Sequence, residues 1–198
     1  MARVPAQERR RQLVDAAFRV IGSEGFAAAT TRRVCAEAGA PLAAFHYCFA
    51  SKQELLAELT AQTMTELVAA RAHVHVSGDV TQSLRTTLQG YWETVEKDSN
   101  RESVLMALTQ HALHEPELAD VAEQQYAAYH RTARKALEEI ADACAVHWTL
   151  PVAQLARMLV VVTDGVTLAW LVDRDSDAAR AALDAFAHQL AGLAVPAG

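Results

Sequence analysis

The segment TTRRVCAEAGAPLAAFHYCFASKQELL, residues 30–56, decides the fold of this 198-residue chain. Either of its first two threonines can cap a short helix over residues 31–38, which Gly39 ends, because threonine hydroxyls accept from free N–H groups at helix starts and glycine favours helix ends. Pro41 opens a third helix and Ser51 caps a long fourth one. Two short helices separated by three residues predict a helix-turn-helix.

A first helix precedes this segment. Between Ala6 and Ile21, apolar residues recur at steps of three and four, which places them on one helix face. We expect Gly22 and Gly25 to end this helix. The fourth helix is expected to support a small hydrophobic core. In this core, apolar residues of the helix-turn-helix pack on residues of the first helix and the turn after it. The first set is Val34, Cys35, Ala38, Phe45 and Phe49, and the second is Phe18, Ile21 and Phe26.

The rest of the chain is typical of helices, without the alternation that marks strands. We predict them near residues 80–97, 101–113, 116–145, 151–172 and 176–193. The predicted fold class is therefore all-α. It consists of an N-terminal three-helix helix-turn-helix domain, residues 1–51, and a C-terminal helical domain, residues 52–198.

The last two predicted helices are unusually apolar. The first has almost no polar face and the second repeats apolar residues at steps of three and four. Such a pair predicts a homodimer in which two helices from each chain form a four-helix bundle, although an intrachain core stays an open alternative. The apolar run Met158–Val172 has only 15 residues and contains Asp164, so we expect no membrane span.

The charge is divided unevenly along the chain. Residues 1–52 carry eight Lys and Arg against four acidic residues, a net charge of +4, and the remainder carries ten against twenty, a net charge of −10. A basic end on an acidic body is typical of a DNA-facing module attached to a module with another task.

The overall composition excludes several classes of protein. Hydrophobic residues make up 52%, and there are 8 Gly and 5 Pro, which indicates a folded chain rather than a disordered or collagen-like one. The three cysteines are widely spaced and form no CxxC pair. They do not suggest a disulfide framework, and we predict a cytoplasmic protein.

The quoted segment resembles the TetR family of bacterial transcriptional repressors. The resemblance rests on an arginine and apolar residues before Ala38-Gly39, an aromatic-rich short helix ending at Phe49, and the Ser51-Lys52 that follows. It covers about residues 8–60. It implies that the second helix braces the backbone of double-stranded DNA while the third enters the major groove. It also implies that the protein binds a near-palindromic operator as a homodimer. The C-terminal helices of each subunit are then expected to enclose a small-molecule effector.

The resemblance also implies a set of DNA-contacting residues: Thr31, Arg32, Arg33, Leu42, Ala43, His46, Tyr47 and Lys52. Thr31 corresponds to a phosphate-binding hydroxyl at a helix start, and Lys52 to a phosphate-binding lysine. His46 stands where the family usually has a phosphate-binding tyrosine, with Tyr47 beside it. Since Leu42 and Ala43 cannot hydrogen-bond to bases, we expect specificity to rest on apolar contacts, Arg32, Tyr47 and DNA shape.

Candidate effector contacts are aromatic, soft or singly polar residues of the C-terminal helices, because ligand pockets combine apolar walls with a few fixed polar groups. They are Trp92, Met106, Gln110, Tyr126, Tyr129 and Thr163; ordinary core packing is an equal alternative for each. Asp164 is the least expected charge. It either neutralises a cation or forms a buried hydrogen bond to a backbone or threonine partner.

Three rival functions stay open. His111 and His114, with the acidic residues that follow them, suggest a metal sensor, and His73 and His75 fall near the end of the fourth helix. A helical enzyme is a second alternative, although no known catalytic motif occurs. A DNA-binding protein that acts through partner proteins without an effector is the third. We favour a repressor released from DNA by a small molecule, with no cofactor.

Overall fold

The computed structural model describes residues 5–71 and 76–197, without the side chains of residues 63–71 and 117. The chain divides into two compact units. The first contains the described residues up to Thr63 together with Asn100–Gln125, and the second contains the described residues of Met64–Ser99 together with Tyr126 onward.

The described residues are mainly helical, which confirms the predicted fold class. The helices are α1 (Ala6–Glu24), α2 (Thr31–Glu37), α3 (Leu42–Cys48), α4 (Lys52–Arg71), α5 (Val80–Lys97), α6 (Ser99–Ala112), α7 (Ala119–Cys144), α8 (Val152–Asp173) and α9 (Ser176–Ala191), with single 3-10 turns at Phe26–Ala28 and Pro116–Leu118.

Two short strands were not predicted from the sequence. β1 (Val146–Trp148) pairs antiparallel with β2 (Ala194–Pro196). The Trp148 indole N–H donates to the backbone oxygen of Leu137, 3.1 Å away, which attaches β1 to α7. Strands of three residues are too short to show a period of two in the sequence.

The first unit is organised around α1, which contributes the fully buried Leu13 and Val20. The helix continues through Gly22, which was wrongly expected to help end it, and stops at Gly25 with a φ of +83° that favours glycine. A Cβ added at Gly22 would lie 2.4 Å from the side-chain nitrogen of Asn100. Gly22 is therefore a point of close approach between α1 and α6.

The core of the first unit is larger than the sequence predicted. As expected, α2 and α3 contribute Val34, Cys35, Phe45 and Phe49, and α4 contributes Leu55, Leu56 and Leu59; α6 and the residues after it add Val104, Leu105, Leu108, Leu118 and Val121. A segment some fifty residues away in the chain thus completes the core beneath the helix-turn-helix. The functional boundary between residues 51 and 52 stays a prediction, whereas the compact unit extends beyond it.

The second unit packs α5 and α8 against α9. Its core combines Trp92 and Leu88 of α5 with Leu137 of α7, Leu155 of α8 and Leu190 of α9, all almost fully buried. The Trp92 and Trp170 rings meet edge to face with their centroids 5.3 Å apart. Asp79 and Asp175 cap α5 and α9 by accepting from the backbone N–H groups of Gln82 and Ala178.

Helix α8 has a buried face and an exposed apolar face. Val161, Leu168 and Val172 are 63%, 55% and 81% exposed and fall on one side of the helix, together with Gly165. The helix has 22 residues, whereas the apolar run from which no membrane span was expected has only 15. By length and composition alone, it is the one described helix that could cross a membrane. A helix lying between a core and a subunit interface has the same composition.

The contribution of α6 to the first unit is testable with two leucines. Leu108→Ala, at a position 2% exposed, should lower the free energy of unfolding by about 2–5 kcal/mol, because the lost contacts leave a cavity. Leu113→Ala, just beyond α6 and 71% exposed, should change it by less than about 0.5 kcal/mol. Urea unfolding followed by circular dichroism measures both, and equal effects would contradict the assignment of α6 to this core.

Candidate nucleic-acid interface and effector site

Helix α3 separates its residues cleanly between two faces. Phe45 and Cys48 are buried, and the Phe45 ring lies 5.6 Å from that of Phe49. The opposite face exposes four predicted DNA contacts side by side: Leu42, Ala43, His46 and Tyr47. Their spacing of one, four and five residues follows from the helical repeat once Phe45 is fixed in the core. The face is uncovered within the first unit.

The start of α2 resolves the choice between the two threonines. The Thr30 hydroxyl accepts a hydrogen bond from the backbone N–H of Arg33 at 3.2 Å, so Thr30 is the cap. Thr31 is the first residue of the helix, and its half-buried side chain has no hydrogen-bond partner among the described residues. The hydroxyl predicted to bind phosphate is therefore not used in capping.

The adjacent arginines differ in their partners. Arg32 is exposed and forms no ion pair with any described residue. The Arg33 guanidinium instead donates to Glu24 and Glu37, and Arg19 also pairs with Glu37 at 3.0 Å. Hydrogen bonds from Arg19 and Arg33 hold the pKa of Glu37 below its ordinary value. Arg33 thus links α2 to α1, while Arg32 remains available.

Lys52 is packed rather than solvated. Its Nζ lies 4.4 Å from the centroid of the Phe26 ring, and that ring stacks at 3.9 Å on the imidazole of His111. Burial lowers the pKa of Lys52, and the charge of Glu115 partly opposes this effect. A cation–π attraction holds the Lys52 ammonium group over the Phe26 ring.

Arg10 is a positioning residue that the sequence analysis missed. Its guanidinium pairs with Glu54 at 3.0 Å and with Glu58, donates to the backbone oxygen of Cys48, and lies 4.2 Å from the Phe49 ring centroid. Glu54 also accepts from the backbone N–H of Ala50, and this bond is the largest cause of its lowered pKa. Arg10 therefore ties the end of α3 to α1 and α4, whereas in the sequence it is one of three consecutive arginines.

The predicted effector contacts are divided between the two units. Met106 and Gln110 belong to the first unit, where Met106 is half-buried and Gln110 exposed, and the other four belong to the second. Trp92 is a core residue, 1% exposed. The buried Thr163 hydroxyl donates to the backbone oxygens of Leu159 and Val160.

Tyr126 contacts both Asp164 and Tyr129. The Tyr126 hydroxyl donates to Asp164 Oδ2 over 2.7 Å, joining α7 to α8, and the rings of Tyr126 and Tyr129 are 5.6 Å apart. The His130 ring lies 6.2 Å from that of Tyr126. The partner of Asp164 is thus a tyrosine, not the backbone or threonine group predicted from the sequence. His130 was not predicted, although positions 126, 129 and 130 share one helix face.

Burial dominates the electrostatics of this pair. It raises the pKa of Asp164, and neither the hydrogen bond from Tyr126 nor the charge of His130 reverses that direction. Burial, together with the hydrogen bond to Asp164, raises the pKa of Tyr126 to about 12. Tyr126 is therefore a neutral donor at physiological pH, and ionisation of Asp164 has a cost in folding free energy because burial disfavours the charged form.

Among the described residues, no site forms that would support the alternative of a metal sensor. Among the residues whose side chains are described, no three His, Cys, Asp or Glu side chains group to hold a metal ion. His111 stacks on Phe26, and its Nε2 lies 3.9 Å from Glu115. His73 and His75 lie outside the described residues.

Comparisons with known proteins match both parts of the chain. The family model "Bacterial regulatory proteins, tetR family" matches residues 13–59, and "BetI-type transcriptional repressor, C-terminal" matches residues 80–193. A curated relative, the HTH-type nicotine-responsive transcriptional repressor HdnoR of Paenarthrobacter nicotinovorans, is 31% identical over 172 residues, which cover 86% of this chain and 88% of HdnoR.

Solved structures are similar along nearly the whole length. The multidrug binding protein EbrR, crystallised with imidazole, is 26% identical with a TM-score of 0.62, and the match covers 89% of this chain and 93% of EbrR. A TetR-family regulator from Rhodococcus sp. has a TM-score of 0.81 at 19% identity, covering 93% of this chain and 98% of the other. The latter similarity concerns the fold alone.

The raised pKa of Asp164 predicts the direction in which folding stability changes with pH. Because the pKa of Asp164 is raised in the folded protein, folding stability falls as pH rises from its ordinary value of 3.8 through the folded-state value. Asp164→Asn removes this charge, while the amide oxygen can still accept from Tyr126. The variant should therefore melt at a higher temperature than the parent at neutral pH, and the difference should shrink towards about pH 4.

Thermal unfolding followed by circular dichroism across this pH interval measures the effect. Asp142→Asn, at an exposed position of the same unit, makes the identical change in charge and should show no comparable pH-dependent gain. A lower melting temperature for Asp164→Asn than for the parent at neutral pH would contradict the expected direction.

Proposed function

The chain belongs to the TetR family of bacterial regulatory proteins, and on that premise we propose a homodimeric cytoplasmic repressor that binds a near-palindromic operator and is released by a small organic effector. The family consists of transcriptional regulators, so the helical-enzyme alternative is wrong. Neither a metal sensor nor a regulator without an effector has a supporting observation among the described residues.

The exposed face of α3 is the observation that carries the DNA-binding part of this proposal. Leu42, Ala43, His46 and Tyr47 are accessible together on a helix whose other face is anchored in the core, as a major-groove reader requires. Arg32 adds an exposed cation without an ion-pair partner in the described chain. Thr31 and Lys52 are proposed to bind phosphate.

Arg33 is the weakest member of the proposed DNA-contacting set. Two carboxylates already accept from its guanidinium, so a phosphate would have to compete with Glu24 and Glu37. We propose that sequence is read through apolar contacts with thymine methyl groups, through Tyr47 and Arg32, and through DNA shape, because α3 carries no side chain that pairs bidentately with a base.

The exposed stripe of α8 supports dimerisation through the last two helices. Val161, Leu168 and Val172 are exposed on one side of the helix, and apolar side chains exposed together mark interaction surfaces. The neighbouring α9 presents an exposed row of alanines at helical spacing: Ala178, Ala181, Ala182 and Ala185. Small side chains on one helix beside large ones on the other allow two copies to pack closely around a two-fold axis.

The relatives support an effector of low molecular weight. HdnoR is named as nicotine-responsive, and EbrR was crystallised with imidazole; both compounds are small nitrogen-containing molecules. An effector that binds the second unit releases operator only if it binds the DNA-free arrangement of the dimer more tightly than the DNA-bound one.

Selection of genomic fragments by the purified protein tests the proposal directly. The recovered fragments should share a near-palindrome whose half-sites lie about one helical turn, or a multiple of one turn, apart. Recovery of fragments without a common two-fold motif would refute operator recognition by a homodimer.

Replacing Lys52 separates a phosphate contact from base recognition. Lys52→Ala should weaken binding to the operator and to unrelated DNA by a similar factor, and the slope of log K against log salt concentration should fall by about 1, because one fewer phosphate is neutralised. Fluorescence anisotropy at several salt concentrations measures both. Lys135→Ala, at a highly exposed position of α7, changes the net charge equally and should leave the slope unchanged; an unchanged slope for Lys52→Ala would exclude the contact.

The proposed interface predicts the effect of one charge. Leu168→Glu should convert the dimer to monomers in sedimentation experiments, because two carboxylates would be buried at the two-fold axis. Operator affinity should then fall by about 100-fold or more through loss of bivalent binding. Leu113→Glu, which changes another exposed leucine outside the last two helices, should remain dimeric, and a dimeric Leu168→Glu variant would refute this interface.

A further inference from the structure

Asp164 is a half-buried carboxylate with very little to neutralise it. It lies in the apolar helix α8, and the one side-chain hydrogen bond that it accepts from the described residues comes from the neutral Tyr126 hydroxyl to Oδ2. No lysine or arginine of the described chain pairs with it, and His130 is the only nearby group that opposes its charge. A carboxylate accepts several hydrogen bonds, so Oδ1 has unused capacity.

The Tyr126 side chain that contacts Asp164 belongs to a group of aromatic rings. Tyr126, Tyr129 and His130 lie on one face of α7, all half-buried, with the ring of Tyr126 5.6 Å from Tyr129 and 6.2 Å from His130. Aromatic faces attract cations through the ring quadrupole, and the attraction strengthens where water is excluded. The carboxylate of α8 and the rings of α7 thus combine two features that favour a positive charge.

The arrangement discriminates between classes of ligand. An anion would be repelled by Asp164, and a neutral ligand would leave its charge unpaired. A single carboxylate is too few ligands for a protein-bound metal ion. A protonated or quaternary nitrogen on an organic group satisfies both the carboxylate and the aromatic faces.

We propose that Asp164, Tyr126 and Tyr129 form the cation-binding part of the effector site, and that the effector is a small organic cation. Asp164 provides the opposite charge, Tyr126 holds its carboxylate in place from α7, and the tyrosine faces receive the alkyl or aryl groups on the nitrogen. The inference rests on the proposed effector-responsive function and adds the chemical class of the effector. Because binding neutralises a charge that is costly when unpaired, it also restores folding stability.

Calorimetric titration of the full-length protein without DNA tests the proposal. The probes are benzyltrimethylammonium, N,N-dimethylbenzylamine and benzylamine as cations, with benzyl alcohol and benzoate as neutral and anionic counterparts of similar size. We expect at least one cation to bind the parent about 10-fold or more tightly than benzyl alcohol. Benzoate should not bind at this site.

Variants of one residue assign the preference to its charge. Asp164→Asn should abolish the preference for cation over alcohol, whereas Asp164→Glu should retain part of it and Asp142→Asn all of it. Tyr129→Leu should weaken quaternary ammonium binding by a few-fold through loss of a ring face. Melting curves verify that each variant is folded.

Three outcomes would overturn the inference. They are the absence of binding by every cation up to about 10 mM, a concentration at which even weak small-ligand binding is visible; equal binding of alcohol and cation by the parent; and an undiminished cation preference in Asp164→Asn. A change in dimer dissociation for Asp164→Asn, with cation binding intact, would assign Asp164 to the subunit interface instead.

The operator arm separates this inference from the proposed function. If the cations bind in an Asp164-dependent manner but leave the selected operator bound, the proposed release of DNA by this effector is refuted. The proposed cation site is then still supported. If the protein selects no operator, the proposed function fails, and the calorimetric result still decides the ligand class.

Discussion

The burial of one face of α3 is the constraint on which the DNA-binding unit depends. A helix of seven residues is not stable in isolation, because nucleation costs more than so few hydrogen bonds return. Phe45 and Phe49 overcome this cost by packing into a core to which α1, α4 and α6 all contribute. Arg10 adds a directional tie from α1 to the last turn of α3 and to α4. The face predicted to contact DNA is exposed because the opposite face of α3 is fixed in the core.

The basic residues of the first unit have two roles. Some form ion pairs that hold the helices together, and others remain available to bind phosphate. Arg10 and Arg33 are committed to carboxylates, whereas Arg32 has no ion-pair partner among the described residues. Lys52 is intermediate, since it rests on Phe26, which in turn stacks on His111 of α6. The net charge of +4 over residues 1–52 already counts the partners of Arg33, but it omits Glu54 and Glu58, which pair with Arg10 from beyond residue 52.

Helix α8 serves several surfaces at once. Leu155, Val160 and Trp170 complete the core of the second unit, while Leu168 and its exposed neighbours leave an apolar stripe on the other side. Asp164 lies at the flank of that stripe, tied to α7 by Tyr126. Holding an ionised carboxylate there lowers stability, and such costs tend to persist where a binding site requires them. Helix α8 therefore contributes both to the core of the second unit and to the proposed effector site.

The sequence by itself determined the all-α class, the helix-turn-helix and the two faces of α3, because local periodicity and capping are written in residues close together in the chain. It did not show that α6 completes the DNA-binding core, that Arg33 and Arg10 pair with carboxylates, that Gly22 lies inside α1, or that Tyr126 rather than a threonine meets Asp164. Each of these depends on side chains that are distant in sequence and meet only when the chain folds. Only the tertiary structure could decide them, because contact between two surfaces is set by how helices pack and not by the pattern within either helix.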